Sequence, residues 1–191
     1  MSEYRFTDGN LIVLYAVYKG KSADGALPDY VLERVKVCLE THGMVMHSRP
    51  DKHKTMVIIV GDPGSAEKVK KALLSGGVDE KIIAIDSDSK NMAQTFDRIF
   101  GLVKSKPNPP FIYFIGSVWL HDIFDSTVIS KMKGYRVQFY GALDHRPVAE
   151  VEYEKSLDVP KKGIEYYKRK VKNQAVDLLL NVIFPDNPAK S

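Results

Sequence analysis

Five short apolar runs, separated by segments of helical character, limit the folds open to this chain more than any other feature. Most of the runs are apolar at every position, so both faces of each strand must be covered. Strands of this kind are typical of a parallel sheet with helices on both sides and right-handed crossovers. The sequence therefore predicts a three-layer, doubly wound α/β fold with about five mainly parallel strands, at 11–18, 56–60, 81–85, 111–115 and 135–140.

Helices are predicted between the strands, at 28–41, 65–75, 90–103 and 119–132. Gly76-Gly77 should end the second helix, because glycine accepts the left-handed backbone found after many helices. We expect 142–159 to be irregular and the longest loop to lie at 44–55. A final helix at about 161–183 carries apolar residues at intervals of three and four. This spacing predicts that one of its faces docks on the sheet.

Composition limits the class of protein. A chain of 191 residues with 44% hydrophobic residues can bury one core, so we expect a single domain over 1–191 with its core at about 10–145. The single cysteine, Cys38, cannot form an internal disulfide and suits a reducing compartment. No apolar run approaches the roughly 20 residues that span a bilayer, and no leader pattern is present. We therefore expect a cytoplasmic protein without a membrane partner, and the sequence leaves an oligomer open.

Polar and small residues follow every predicted strand. Because the carboxyl ends of parallel strands share one edge of the sheet, these residues should gather around one ligand site. Turns are rich in glycine, serine and aspartate for local reasons as well, so no single loop decides the matter. The loops are Lys19–Ser22, Gly61–Ser65, Asp86–Ser89, Gly116–Ser117 with His121, and Gly141 with Asp144–Arg146.

Several of these residues fall in an order that resembles a known family. The segments are LERVKVCLE with Arg34, GSAEKVKKAL with Glu67, SKNMAQ with Ser89 and Asn91, and GSVWLHDIF with Ser117 and His121. Over roughly 10–145 the chain is similar to the YdcF, SanA and ElyC family, which has a Rossmann-like fold. The resemblance implies a pocket for a nucleotide-like or S-adenosylmethionine-like ligand, and it implies no particular reaction.

Candidate site residues follow from the loops and the resemblance together. We expect Glu67 and Asp86 to contact hydroxyl or ammonium groups of a small polar metabolite, and Ser89, Asn91 and Ser117 to form hydrogen bonds with it. His121 should lie near the start of a helix at the strand ends, where its pKa suits an acid-base role. A half-buried, hydrogen-bonded histidine is the structural alternative.

Two departures from the family pattern support a different reading. The threonine expected after Asn91 is Met92, and the arginine expected three residues after His121 is Phe124. An arginine there would be a bidentate donor for phosphate or carboxylate. The alternative is thus a catalytically inert scaffold or interaction domain that has lost the family site.

Nucleic acid is the remaining partner class, and we do not expect it. It would depend on the lysines and the arginine of the predicted last helix, between Lys161 and Lys172. A solvated helix face explains those charges without a partner. The histidines at 42, 47 and 53 have no metal-site spacing, so no metal is expected.

Overall fold

The computed structural model describes residues 9–18, 26–49, 54–106 and 108–158. Five strands form one sheet in which every neighbouring pair is parallel, with the order β3-β2-β1-β4-β5. The chain therefore has the predicted three-layer, Rossmann-like α/β fold. The strands are β1 (Asn10–Tyr15), β2 (Met56–Val60), β3 (Ile83–Asp86), β4 (Phe111–Ser117) and β5 (Arg136–Ala142).

Helices cover both faces of the sheet. One apolar core lies between the sheet and the first two helices, and a second lies between the sheet and the next two. β1 is buried at all six positions, because it is central and covered on both sides. The helices are α1 (Asp29–Ser48), α2 (Pro63–Ser75), α3 (Met92–Val103), α4 (His121–Lys131) and α5 (Val148–Asp158).

Two predicted irregular segments are wrong. α1 continues to Ser48 through the start of the predicted 44–55 loop, because Val45 is fully buried in the core on the α1 face. That burial offsets the cost of Gly43 inside the helix. α5 occupies most of the segment predicted as irregular at 142–159, and the Pro147 carbonyl accepts hydrogen bonds from its first turn. The predicted helix at 161–183 lies outside the described residues.

The start of α2 also differs from its prediction. Asp62, rather than Ser65, is the N-cap residue, and its side chain accepts hydrogen bonds from the Ser65 backbone N–H at 3.1 Å and from the Ser65 hydroxyl. Burial tends to raise the pKa of Asp62, but these hydrogen bonds outweigh it and lower the pKa. The carboxylate therefore takes the place at this helix terminus that an anion would otherwise occupy.

Candidate functional site

The order of the strands reverses between β1 and β4. From β1 the chain builds β2 and β3 on one side, and it then crosses to build β4 and β5 on the other. Because the connections diverge there, a crevice opens beyond the carboxyl ends of these two strands, and ligands of open α/β sheets bind at such a switch point. The residues that meet there form the candidate site.

Arg34 extends from α1 into this crevice and is completely buried, with a side-chain exposure of 0%. Its Nε donates to the Ser117 hydroxyl at 2.9 Å, at the end of β4. Its Nη1 donates to the carbonyl oxygens of Tyr15 and Val17, both at 3.1 Å, at the end of β1. The guanidinium group therefore joins the two strands on either side of the switch point.

Asp144, just after β5, places a carboxylate beside Arg34. Its Oδ2 accepts hydrogen bonds from the Ser117 hydroxyl at 2.8 Å and from the Trp119 indole N–H at 2.9 Å. The Arg34 Nη2 lies 4.0 Å from the same oxygen, and the Asp144 side chain is only 1% exposed. A strand end, a short 3₁₀ turn at Val118–Leu120 and α1 thus converge on one buried carboxylate.

Arg146 closes this arrangement toward the surface. Its Nε donates to Asp144 Oδ1 at 2.9 Å and its Nη2 to Oδ2 at 2.7 Å, which is a bidentate pair. The Cζ atom of Arg146 lies 3.5 Å from the centroid of the Tyr30 ring, and its side chain is 12% exposed. We call Arg34, Ser117, Trp119, Asp144 and Arg146 the switch-point cluster.

The protonation state of Asp144 follows from these contacts. Burial on its own would raise the pKa of the carboxyl group. The hydrogen bonds from Arg146, Trp119 and Ser117, together with the charge of Arg146, outweigh that effect and hold the pKa of Asp144 well below its usual range. Asp144 is therefore ionised at neutral pH and orients both guanidinium groups.

A second candidate site is a groove beside the edge strand β3. It has a volume of about 380 Å³ and lies between α2 and the sheet. Glu67, a predicted site residue, lines this groove from α2, and Ser87 lines its end beyond β3. We call this cavity the β3 groove; its lining residues are Pro63, Glu67, Lys70, Ile83, Ile85 and Ser87.

Asp86, Ser89 and Asn91, also predicted site residues, build the loop between β3 and α3. Asp86 is buried; its Oδ2 accepts from the Ser89 hydroxyl at 2.6 Å and its Oδ1 from the Ser89 backbone N–H at 3.2 Å. The Asn91 side chain caps α3 by accepting from the Gln94 backbone N–H at 2.9 Å. These polar groups are therefore used in local hydrogen bonds that shape the rim next to the β3 groove.

His121 begins α4, as predicted, but it lies over the opposite face of the sheet from Arg34. Its ring packs edge-on against Phe139, which belongs to the core on the α3 and α4 face. Its Nδ1 lies 3.4 Å from Asp125 Oδ2, and its side chain is 58% exposed. Of the predicted residues at the end of β4, the structure brings Ser117 into the switch-point cluster and leaves His121 outside it.

The two departures from the family pattern both lie in the core. Met92 is fully buried at the start of α3. Phe124 packs against three aromatic rings, with centroid distances between 5.0 and 5.8 Å to Phe96, Phe114 and Phe139. An arginine at 124 would have to enter this aromatic cluster, which explains in physical terms why the chain carries phenylalanine there.

Sequence reasoning did not choose four members of the cluster. Arg34 matched the family pattern, yet on one strand of text it reads as a surface residue of an early helix. Asp144 and Arg146 were visible as a polar loop after β5, but their joint contact with Ser117 depends on the pairing of β4 with β5. Trp119 gave no signal, since an indole near a strand end is ordinary core material.

Comparisons with known protein families, with curated proteins and with solved structures found no match. The resemblance drawn from the short motifs therefore stays a prediction. In the described part of the chain, no helix is long and apolar enough to cross a membrane.

Proposed function

We propose that this domain binds a small anionic metabolite of nucleotide-like or S-adenosylmethionine-like chemistry at the carboxyl ends of its strands. The anionic group of the ligand binds at the switch-point cluster. The observation that carries this proposal is the completely buried guanidinium group of Arg34, held by Ser117 and by the carbonyl groups at the end of β1.

The cost of burying charge supports a role beyond stability. Removing a guanidinium group and a carboxylate from water is expensive, and apolar replacements of similar volume are often as stable or more stable. A buried Arg34–Asp144 pair is therefore not what a stable core requires. Charged groups in a shaped environment at the strand ends are instead typical of functional sites.

The chemistry of the cluster indicates the class of ligand. A guanidinium group matches the geometry of carboxylate and phosphate groups, and bidentate binding adds specificity. Arg146 is the member nearest the surface, so it is the group that contacts the ligand, whereas Arg34 positions it from behind through Asp144. Two exposed apolar side chains, Val118 and Leu143, follow the paired ends of β4 and β5 and suit an apolar part of the ligand.

The remaining predictions fit this proposal to different degrees. Cys38 is buried, and burial raises the pKa of its thiol to about 12, which keeps it protonated in the reducing cytoplasmic setting we infer. His121 has no contact with the cluster among the described residues, so its acid-base role stays a prediction. We therefore propose binding and name no reaction.

Calorimetric titration of the full chain with ADP and with S-adenosylmethionine tests the proposal. We expect at least one of them to bind, and Arg146→Gln to weaken that binding about tenfold or more, as the loss of a charged hydrogen bond implies. Arg136→Gln is the matched control, because Arg136 lies at the opposite end of β5 and should leave the affinity unchanged. His121→Ala should also bind normally, and a loss of binding there would move the site to the other face of the sheet.

One observation favours the alternative, an inert scaffold or interaction domain. Both oxygens of Asp144 already accept hydrogen bonds from side chains of the protein, so the cluster is stable without a ligand. In that case neither ADP nor S-adenosylmethionine binds the wild type at millimolar concentration, while Arg146→Gln still lowers the free energy of unfolding. That pair of results would replace the binding proposal with the scaffold.

A further inference from the structure

The β3 groove combines an apolar floor with polar walls. Ile83 and Ile85 point the same way from β3, because side chains two residues apart share a face of a strand. Glu67 and Lys70, three residues apart on α2, form the wall. A volume of about 380 Å³ lies within the range of small-molecule sites. The groove is therefore large enough for a sugar ring with part of an attached base.

The charges in the groove discriminate among polar groups. Lys70 forms an ion pair with Glu80, with a distance of 2.7 Å between Nζ and Oε1. Glu67, by contrast, forms no ion pair with any other residue in the described part of the chain. A ligand ammonium group would meet the positive charge of Lys70, whereas neutral hydroxyl groups would not. Hydroxyl groups that donate to the Glu67 carboxylate are therefore the better match.

The groove and the switch-point cluster lie at the same rim. α1, which carries Arg34, and α2, which carries Glu67, pack on the same face of the sheet. The groove lies at β3 and the cluster at the crevice between β1 and β4, so about two and a half strand spacings, or about 12 Å, separate them. A single ligand of nucleotide length can reach both.

From these contacts we infer that the β3 groove binds the ribose of the ligand and that Glu67 accepts hydrogen bonds from its 2′- and 3′-hydroxyl groups. This inference rests on the proposed function, since the anionic end of the same molecule occupies the switch-point cluster. Ser87 adds a hydroxyl group at the rim end of the groove, and the two isoleucines pack against the apolar face of the sugar. The ligand class is thereby narrowed to ribonucleosides that carry an anionic group several bonds from the ribose.

Binding of ADP and S-adenosylmethionine, each compared with its 2′,3′-dideoxy analogue, tests the inference on the full chain. Wild type should bind the ribose form about 10- to 100-fold more tightly than the dideoxy form, as expected for hydrogen bonds to a charged group. In Glu67→Gln this preference should fall to a few-fold, with the affinity for the dideoxy form unchanged. Glu40→Gln, the same substitution at an exposed position on α1, should keep the wild-type preference.

The outcomes separate the two proposals. Binding that depends on Arg146 but shows no preference for ribose over dideoxyribose would overturn the groove assignment and leave the proposed function intact. A preference that survives Glu67→Gln would assign the hydroxyl contacts to other residues and would likewise overturn it. If neither ligand binds in either form, the proposed function fails and the groove assignment fails with it. Glu67 is exposed and Glu67→Gln preserves its shape, so all three variants should fold.

Discussion

The Nε atom of Arg34 donates a 2.9 Å hydrogen bond to the hydroxyl group of Ser117, across 83 residues of sequence. This contact joins the first helix to the end of the fourth strand at the point where the sheet changes direction. Asp144 accepts a hydrogen bond from the same hydroxyl group, so Ser117 bridges a guanidinium group and a carboxylate. The candidate site is thus built from three separate segments and rests on their common position at one rim.

Arg34→Met should lower the free energy of unfolding by about 3–5 kcal/mol, the typical cost of removing one partner from a buried ion pair. The substitution leaves the carbonyl groups of Tyr15 and Val17 and the carboxylate of Asp144 without their buried donor. Urea unfolding at pH 7 measures the change. Arg136→Met, at an exposed arginine, should alter stability by less than about 0.5 kcal/mol. A loss below about 1 kcal/mol in Arg34→Met would show that the network is not needed for stability.

Asp144 should make stability depend on pH in the acid range. Its pKa in the folded protein lies below the value of about 3.9 expected in an unfolded chain. The stabilisation is therefore complete above that unfolded value and is lost as the pH falls toward the folded pKa. The difference in unfolding free energy between wild type and Asp144→Asn should be constant from pH 7 to 5 and smaller at pH 2.5. A difference that is equal at all pH values would contradict the depressed pKa.

Phe124→Arg should destabilise the protein by about 3 kcal/mol or more, because it removes an aromatic side chain from the core and buries a charge. The phenylalanine contacts Phe96, Phe114 and Phe139, none of which can pair with a guanidinium charge. Thermal and urea unfolding measure the effect. His121→Arg, three residues earlier on the exposed side of α4, is the control and should be nearly neutral. Normal stability of Phe124→Arg would mean that an arginine can leave this core for the rim.

Two glycine substitutions should have opposite effects. Gly77 has a φ of +87°, in the left-handed region, so Gly77→Ala should cost about 1 kcal/mol. Gly43 lies inside α1 with open space where a Cβ would be, so Gly43→Ala should stabilise by about 0.5–1 kcal/mol. The midpoints of urea unfolding of the two variants should move in opposite directions. A shift of both in the same direction would contradict the assignment of one of these backbones.

The fold could be predicted because its causes are local. Runs that are apolar at every position, such as Met56–Val60, require cover on both faces, and this property alone points to a parallel sheet between helices. Element ends were less certain where tertiary contacts compete with local preference. Val45 extends α1 past a glycine because the core buries its side chain, and nothing within the segment itself reveals that burial.

The candidate site could be predicted only as a rim. Polar loops after five parallel strands must share one edge, so Glu67, Asp86 and Ser117 were correctly expected near strand ends. Which of them meet depends on the order of strands and on the face from which each side chain extends. Ser117 and His121 are only four residues apart, yet the turn at Val118–Leu120 separates them onto opposite faces of the sheet.

By itself, the sequence determined the layered α/β architecture, the parallel sheet and the rim at which polar residues collect, because apolar periodicity and strand length depend on neighbours along the chain. Only the tertiary structure decided that Arg34, Ser117, Asp144 and Arg146 form one buried cluster and that Phe124 belongs to the core. Those contacts join residues as many as 83 positions apart through strand pairing and helix packing. Local pattern carries no record of them, because the same residues in another strand order would have different partners.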